Sequence, residues 1–331
     1  MTPSENTLLP DDWLYRNLDE LAQLAPLQQI ELPAFQAKNI RLSVKREDLL
    51  HPKLGGNKLY KLYGHIHRLL QEGYVESLKN LHLATFGGAW SNHIYALAAV
   101  GQQQGIRTTG FIRGDDGGEP SQMLIDARNM GMNIHFLSRA DYRRKHEPAF
   151  LAELELKTGS VNWIPEGGGG AAGAGSCAAL MRGILAKSDS PVDVVAHAVG
   201  SATTLAGLSL AAPDNIAVVG VAVLKARQSL ESDLAEVLKQ LGAARSRWTI
   251  WHDFHCGGYA KLPEYLLDFM RDFENRTKIQ LDPVYTAKLM YGMNELAKQA
   301  FWPEGTHVVV VHSGGLQGCR GMSQLQKEVS R

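Results

Sequence analysis

One arrangement recurs along this sequence and constrains its fold most: a continuous apolar run, then a glycine turn. In three of the four cases a helix-like stretch follows the turn. The run and its turn occupy residues 81–88, 161–170, 192–200 and 307–315. Continuous apolar runs are typical of strands covered on both faces, and strands that alternate with helices predict parallel βαβ units. The sequence therefore predicts an α/β fold with parallel sheets flanked by helices.

The four glycine turns also predict where a ligand binds. Each follows a predicted strand, and ligands of open α/β sheets bind beyond the carboxyl ends of the strands. Glycine lets backbone N–H groups approach a ligand closely, and the N-terminus of the next helix favours an anion. At any single turn, glycine simply ending a strand is an equal alternative. Four turns together indicate a small ligand with several charges.

Charge and cysteine content exclude several classes of protein. Among 331 residues, 34 Lys and Arg balance 34 Asp and Glu, which argues against a broad basic surface for nucleic acid or acidic lipid. The apolar runs are far shorter than the roughly 20 residues of a membrane-spanning helix, and the N-terminus lacks a signal-peptide pattern. Cys177, Cys256 and Cys319 are odd in number and widely spaced, as in reduced proteins. We expect a cytoplasmic protein without nucleic-acid or membrane partners.

The order of segments predicts two lobes. Residues 53–165 are expected to form a smaller α/β domain. It would be inserted into a large cofactor-binding domain built from residues 1–52 and 166–331.

Lys58 is the most informative single residue. It follows a Gly-Gly-Asn turn and opens a predicted helix, with Lys61 one turn later on the same face. Desolvation or a neighbouring cation lowers the pKa of an amine, as lysines that react with carbonyl groups require. Lys61 could supply that charge or bind a phosphate. From the residues alone, two solvent-facing lysines remain an alternative.

Six segments in order resemble one enzyme family. They are KREDLLHPKLGGNKLYKL (45–62), FGGAWSNHIYALAAVG (86–101), PEGGGG (165–170), GSATTLAGL (200–208), DPVYTAK (282–288) and HSGG (312–315). They resemble the 1-aminocyclopropane-1-carboxylate deaminase/D-cysteine desulfhydrase family, over nearly the whole chain. The resemblance implies pyridoxal 5'-phosphate as cofactor, a two-lobed tryptophan-synthase-β-like fold (fold type II), a small amino-acid substrate and a homodimer.

The resemblance also implies cofactor contacts. Lys58 would bind the cofactor covalently, Asn92 its ring hydroxyl and Thr286 its pyridine nitrogen. The cofactor set is Lys58, Lys61, Asn92, Gly200, Ser201, Ala202, Thr203, Thr204, Thr286 and Ser313. The loop at 200–204 would hold the phosphate, but Ala202 and Thr203 stand where two glycines are usual. If either position needs a positive φ, we expect strain on the order of 1 kcal/mol.

A second set is implied for the substrate and the reaction. Residues expected to contact the substrate are Ser91, Asn92, His93 and Gly168, and those expected to be catalytic are Lys58, Ser91, Tyr285 and Tyr259. From the residues alone, Ser91 is equally an ordinary helix N-cap. The residues after PEGG depart from the family pattern, which leaves the substrate open.

Thr286 favours one reaction over the other. The cyclopropane-opening members resemble one another in having Glu at this position, where a carboxylate would keep the pyridine nitrogen protonated. A hydroxyl gives a weaker electron sink, which suffices when a thiolate leaves. We therefore predict a lyase of amino-acid metabolism that converts D-cysteine to pyruvate, ammonia and hydrogen sulfide. The alternatives are ring opening of the cyclopropane amino acid to 2-oxobutyrate and ammonia, another small amino-acid substrate, or a non-catalytic cofactor-binding protein.

Two other classes of site fit less well. Residues 168–173 match GxGxxG, but Asp193 stands at the beginning of the next strand rather than its end, where a nicotinamide ribose needs it. His252, His255 and Cys256 are too crowded for the usual paired zinc spacing. We therefore predict no metal site.

Overall fold

The computed structural model describes residues 7–73, 77–114, 120–243 and 247–322. The strands are β1 Leu27–Ile30, β2 Arg41–Arg46, β3 His82–Gly87, β4 Arg107–Arg113, β5 Asn133–Leu137, β6 Asn162–Trp163, β7 Val194–Val199, β8 Ala217–Ala222, β9 Trp248–Trp251 and β10 His307–His312. The helices are α1 Leu18–Leu24, α2 Pro33–Gln36, α3 Asn57–Gln71, α4 Asn92–Gln104, α5 Gln122–Asn129, α6 Arg139–Arg143, α7 Pro148–Thr158, α8 Gly170–Lys187, α9 Thr203–Ala211, α10 Arg227–Gln240, α11 Glu264–Thr277 and α12 Thr286–Lys298.

The described residues divide into two compact units. The large unit comprises residues 7–61 and 170–316. Its six-stranded sheet has the order β1-β2-β10-β7-β8-β9. Neighbouring strands are parallel except β1 and β2, which are antiparallel. The predicted α/β class is confirmed, and the antiparallel edge strand β1 makes this sheet mixed.

The centre of the large sheet is buried on both faces. Every residue of β7 and β10 is buried, and successive side chains of a strand point to opposite faces. Helices α9 and α12 both pack against β7 and β8, and α8 packs along α9. Gly207 allows that close approach, because a Cβ there would lie 2.3 Å from the Ala174 carbonyl oxygen. The packing fixes the start of α9 directly after β7.

The small unit comprises residues 62–169 and 317–322 of the described chain. Its parallel sheet has the order β5-β4-β3-β6. Aromatic rings fill its core: Phe86 stacks on Trp163 at 5.3 Å between ring centroids, and Phe111 stacks on Trp163 at 5.4 Å. Helix α4 packs on β3 and β4. Because it follows β3 along the chain, it begins at the carboxyl edge of this sheet.

None of the helices in the described ranges combines the length and apolar character needed to cross a bilayer. Cys177, Cys256 and Cys319 form no disulfide with one another.

Candidate functional site

A tight backbone crossing places the start of α3. Gly56 has φ +84°, and a Cβ there would lie 1.9 Å from the Ser313 carbonyl oxygen. Only glycine therefore lets this loop pass against the turn that follows β10. The Gly56 N–H donates to the Glu47 carbonyl at 2.9 Å, which anchors the loop. Asn57 and Lys58, the first residues of α3, thus lie next to that turn.

Asn57 links the Lys58 amine to α9. Its Nδ2 donates to Thr204 Oγ1 at 2.8 Å, and its Oδ1 accepts from Lys58 Nζ at 3.2 Å. Burial, and then the nearby Lys61 cation, lower the pKa of Lys58 from 10.5 to about 7. A large fraction of the Lys58 amine is therefore neutral near pH 7. The neighbouring cation considered from the sequence is thus Lys61, and the role of Lys58 in binding a cofactor stays a prediction.

Lys61 lies beside the loop at 200–204. Its side chain is buried, and Nζ donates to Ser201 Oγ at 3.2 Å. Burial lowers the pKa of Lys61 to about 8. This amine still carries a positive charge at pH 7.

The N-terminus of α9 is open. Ala202 occupies the N-cap position with φ −69° and ψ −11°, and no side chain caps this end. The first N–H groups of a helix have no partner within the helix, so they are available to an anion. Neither Ala202 nor Thr203 is among the described non-glycine residues with positive φ. The strain considered from the sequence is therefore absent.

Two buried groups of this region were missed from the sequence. His197 on β7 is 2% exposed, and neither ring nitrogen has a hydrogen-bond partner among the described residues. Burial, then Lys61 and Lys58, lower the pKa of His197 to about 3, so the ring is neutral. Cys177 on α8 is also buried, and burial raises the pKa of its thiol to about 11. His197 is a polar residue inside an apolar strand, and this pattern could have indicated a buried group near the site. No pattern in the sequence singles out Cys177 in the same way.

Tyr285 closes one side of the same loop. A Cβ at Gly200 would lie 2.8 Å from Tyr285 Cε1, so glycine allows the tyrosine ring to pack against the turn. The ring of Tyr259, half exposed, meets Tyr285 edge-on with centroids 6.5 Å apart. The structure therefore brings both predicted tyrosines together.

The Thr286 hydroxyl is bonded to the backbone of Asp282. Thr286 Oγ1 accepts from the Asp282 N–H at 2.7 Å and donates to the Asp282 carbonyl at 3.3 Å. Asp282 Oδ1 in turn accepts from the N–H groups of Val284 and Tyr285. Burial raises the pKa of the Asp282 carboxyl to about 7 in spite of these bonds. This turn fixes Tyr285 at the start of α12.

Lys288 is a further buried cation that the sequence reasoning left without a role. Its Nζ donates to the Gly258 carbonyl at 2.6 Å and to the Val223 carbonyl at 3.3 Å. Burial lowers the pKa of Lys288 to about 8. The DPVYTAK segment contains it, but nothing in the segment distinguishes a buried lysine from a surface one.

In the small unit, Ser91 caps α4. Its Oγ accepts from the Ile94 N–H at 3.3 Å. The next residue, Asn92, has a buried Oδ1 with no hydrogen-bond partner in the described chain. A buried amide oxygen without a partner is costly, which points to a ligand donor at this atom.

His93 and Gly168 complete the predicted set of the small unit. His93 is 1% exposed, and its Nε2 lies 3.1 Å from Thr85 Oγ1. Thr85 donates its proton to the Ile164 carbonyl, so it must accept from Nε2. Gly168 is buried with φ +70°, in a turn that its N–H closes onto the Pro165 carbonyl.

The predicted residues fall into two sets. The large unit carries Lys58, Lys61, Gly200, Ser201, Ala202, Thr203, Thr204, Tyr259, Tyr285, Thr286 and Ser313, and the small unit carries Ser91, Asn92, His93 and Gly168. In the large unit a partly neutral lysine amine lies near an open helix N-terminus with a second lysine beside it. These groups fit pyridoxal phosphate, which has an aldehyde for the amine and a phosphate for the helix end.

Comparisons with known proteins agree with this fit. The family model described as "Pyridoxal-phosphate dependent enzyme" matches residues 22–314. A putative 1-aminocyclopropane-1-carboxylate deaminase of Pyrococcus horikoshii is 27% identical over 282 residues, which cover 83% of this chain and 84% of that protein. The mitochondrial bifunctional D-cysteine desulfhydrase/1-aminocyclopropane-1-carboxylate deaminase of Arabidopsis thaliana is 28% identical over 321 residues, covering 88% and 76%.

A solved structure is also similar. The crystal structure of an ACC deaminase homologue superposes with a TM-score of 0.76 at 25% identity, covering 92% of this chain and 93% of that one. The family resemblance drawn from the sequence is confirmed, with its fold and cofactor. This chain belongs to the pyridoxal-phosphate-dependent enzymes, and it is similar to members named 1-aminocyclopropane-1-carboxylate deaminase and D-cysteine desulfhydrase.

Proposed function

We propose that this enzyme catalyses the α,β-elimination of D-cysteine to pyruvate, ammonia and hydrogen sulfide. Thr286 carries the proposal, because by resemblance it stands at the position that faces the pyridine nitrogen. Its hydroxyl is uncharged and already bonded to the Asp282 backbone. It cannot stabilise a protonated pyridine nitrogen as a carboxylate does. Expelling a thiolate needs less electron withdrawal than opening an unactivated ring.

The chain's own groups suit the proton transfer. Pyridoxal phosphate, when bound, withdraws electrons from the substrate Cα and so makes its proton acidic. Lys58 Nζ is the amine that would bind the cofactor covalently. With a pKa of about 7, about half of this amine is neutral near pH 7, so it could accept the Cα proton when it is not bound to the cofactor. Lys61, Ser201 and the N-terminus of α9 are suited to bind the phosphate.

The remaining roles are proposed from the resemblance. Ser91 would bind the substrate carboxylate, with His93 and Gly168 on the substrate side. Asn92 would bind the cofactor ring hydroxyl, a role that its partnerless Oδ1 supports. Tyr285 and its edge-on neighbour Tyr259 would act on the leaving-group side. Ser313 would support the edge of the cofactor ring.

Ring opening of 1-aminocyclopropane-1-carboxylate is the second candidate. It is favoured by the name of the Pyrococcus relative, whereas the Arabidopsis relative is named for both reactions. One substrate panel separates the two reactions, with Lys58→Ala protein as the blank. We expect sulfide and pyruvate from D-cysteine, and little 2-oxobutyrate from the cyclopropane amino acid. The reverse ratio would replace the first proposal with the second. Turnover of neither would contradict both, and would leave another small amino acid or a non-catalytic role.

We also infer a cytoplasmic homodimer. The three free cysteines support a reducing compartment, and the dimer rests on the family resemblance. Light scattering coupled to gel filtration would test the dimer, since a monomeric mass at micromolar protein would contradict it.

A further inference from the structure

A cavity of about 620 Å³ lies within the small unit and is built almost entirely from basic side chains. Arg113 comes from the end of β4, and the other residues come from α6 and the segment that follows it. The cavity is lined by Arg113, Arg139, Tyr142, Arg143, Lys145 and His146. Pockets of this volume accommodate small molecules. The proposed reaction uses none of these side chains.

Three arginines of this cavity form no ion pair with a described residue. Within the described ranges, Glu166 is the carboxylate that reaches its wall, where Oε2 lies 2.5 Å from Lys145 Nζ. Arg113, Arg139 and Arg143 have no carboxylate partner in that part of the chain.

Neighbouring acidic groups turn instead to an arginine that does not line the cavity. Arg144 lies 3.1 Å from Glu147 and 3.2 Å from Glu153. Three guanidinium groups thus line one cavity without a carboxylate partner among the described residues, and such like charges repel one another unless an anion binds.

Tyr142 orders the wall of this cavity. Its side chain is buried, and its hydroxyl donates to Glu166 Oε1 at 2.7 Å. The Arg113 guanidinium lies 5.8 Å from the centre of the tyrosine ring, and Lys145 Nζ lies 4.7 Å from it. Cation–π contacts hold these two cations against one fixed ring. The basic groups therefore have a rigid support.

We propose that this cavity binds a small phosphorylated molecule. Guanidinium groups form bidentate hydrogen bonds with phosphate oxygens. A phosphate group also carries more negative charge than a carboxylate, which suits a site with three arginines. The volume leaves room for more than one phosphate or for an organic portion. None of the residues lining this cavity has a role in the proposed elimination reaction or belongs to the loop at 200–204.

Calorimetric titration of the cofactor-loaded enzyme tests the proposal, because the cofactor already fills the loop at 200–204. The probes are inorganic pyrophosphate and adenosine 5'-triphosphate, each at matched ionic strength. We expect saturable binding of at least one probe, weakened about tenfold or more in the double variant Arg139→Ala/Arg143→Ala. Tighter binding of the nucleotide would indicate an organic phosphate, and equal binding a site for the phosphates alone.

Arg144→Ala is the matched control. It removes an arginine of the same segment whose charge Glu147 and Glu153 already neutralise, so probe affinity should not change. Arg139 and Arg143 are exposed, so thermal unfolding of the double variant should match the wild type. No binding at millimolar probe, or equal affinity in wild type and double variant, would overturn the proposal.

Discussion

The starts of α4 and α9 are built from the same sequence arrangement and end up chemically opposite. Each helix follows a buried parallel strand and a glycine turn. At α4, Ser91 Oγ accepts the Ile94 N–H and so occupies one of the orphan donors of the helix end. At α9, the N-cap residue is Ala202, and no side chain makes a capping hydrogen bond to the helix end. One helix start is closed by its own sequence and the other is left open.

The two turns also differ in the charge of the side chains around them. Lys58 and Lys61 lie near the loop before α9, and burial lowers the pKa of both amines. The turn before α4 has no cation of this kind in its sequence, and its polar groups are the uncharged Ser91 and Asn92. We therefore expect an anion to bind at the glycine turn before α9, because this helix lacks a side-chain cap and buried lysines lie beside it.

The largest expected effect is at Lys58. Lys58→Ala should abolish covalent cofactor attachment, and it should lower turnover by about 10³-fold or more because the proposed general base is lost as well. The visible absorbance of the purified protein and its kcat report the two losses. Lys58→Arg is the control that keeps the charge without a reactive amine. Near-normal turnover in the alanine variant would contradict the assignment.

A variant at Lys61 tests whether the uncapped start of α9 binds the cofactor phosphate. Lys61→Gln should weaken cofactor binding about tenfold or more, because a buried charge beside Ser201 is lost. It should also raise the pKa of Lys58, since a neighbouring cation that lowers this pKa is removed. Fluorescence titration of the apoenzyme with cofactor measures the affinity. Unchanged affinity would mean that the phosphate does not bind at this loop.

A variant at Ser91 tests whether this residue does more than cap the start of α4. Ser91→Ala should cost about 1 kcal/mol of unfolding free energy through loss of the N-cap. Ser138→Ala is the matched control, since Ser138 Oγ caps α6 through the Asp141 N–H at 3.1 Å. Both variants should lose similar stability in denaturant unfolding, but only Ser91→Ala should lower kcat/KM. Equal activity in the two would reduce Ser91 to a capping residue.

The smallest expected effect on turnover is at Thr286, where the expected change is mainly in stability. Thr286→Val keeps the side-chain shape but removes both bonds to the Asp282 backbone. The expected cost is about 1–2 kcal/mol of unfolding free energy, while Thr286→Ser should retain most of the stability. Loss of kcat at unchanged stability would instead indicate that the hydroxyl acts mainly on the cofactor.

The sequence predicted the α/β class, the glycine turns and the lysine pair because these depend on local patterns. Strand limits shifted by a residue or two, and the apolar run at 161–165 pairs as a strand only over Asn162–Trp163. His197, Cys177 and Lys288 come from separate elements and gain their shifted pKa values from burial. A linear pattern does not encode such burial. The basic cavity was not predicted for the same reason, because the pairing of β4 with β5 brings Arg113 next to α6, which is distant in sequence.

The central claim is that burial and Lys61 make Lys58 a reactive amine at neutral pH. The most direct test is the rate of covalent cofactor capture by the apoenzyme as a function of pH, with Lys61→Gln measured in parallel. Only the neutral amine reacts, so the rate should rise with pH and level off above a midpoint of about 7. The midpoint should move higher in the variant. A wild-type midpoint near the ordinary lysine value of 10.5 would contradict the account.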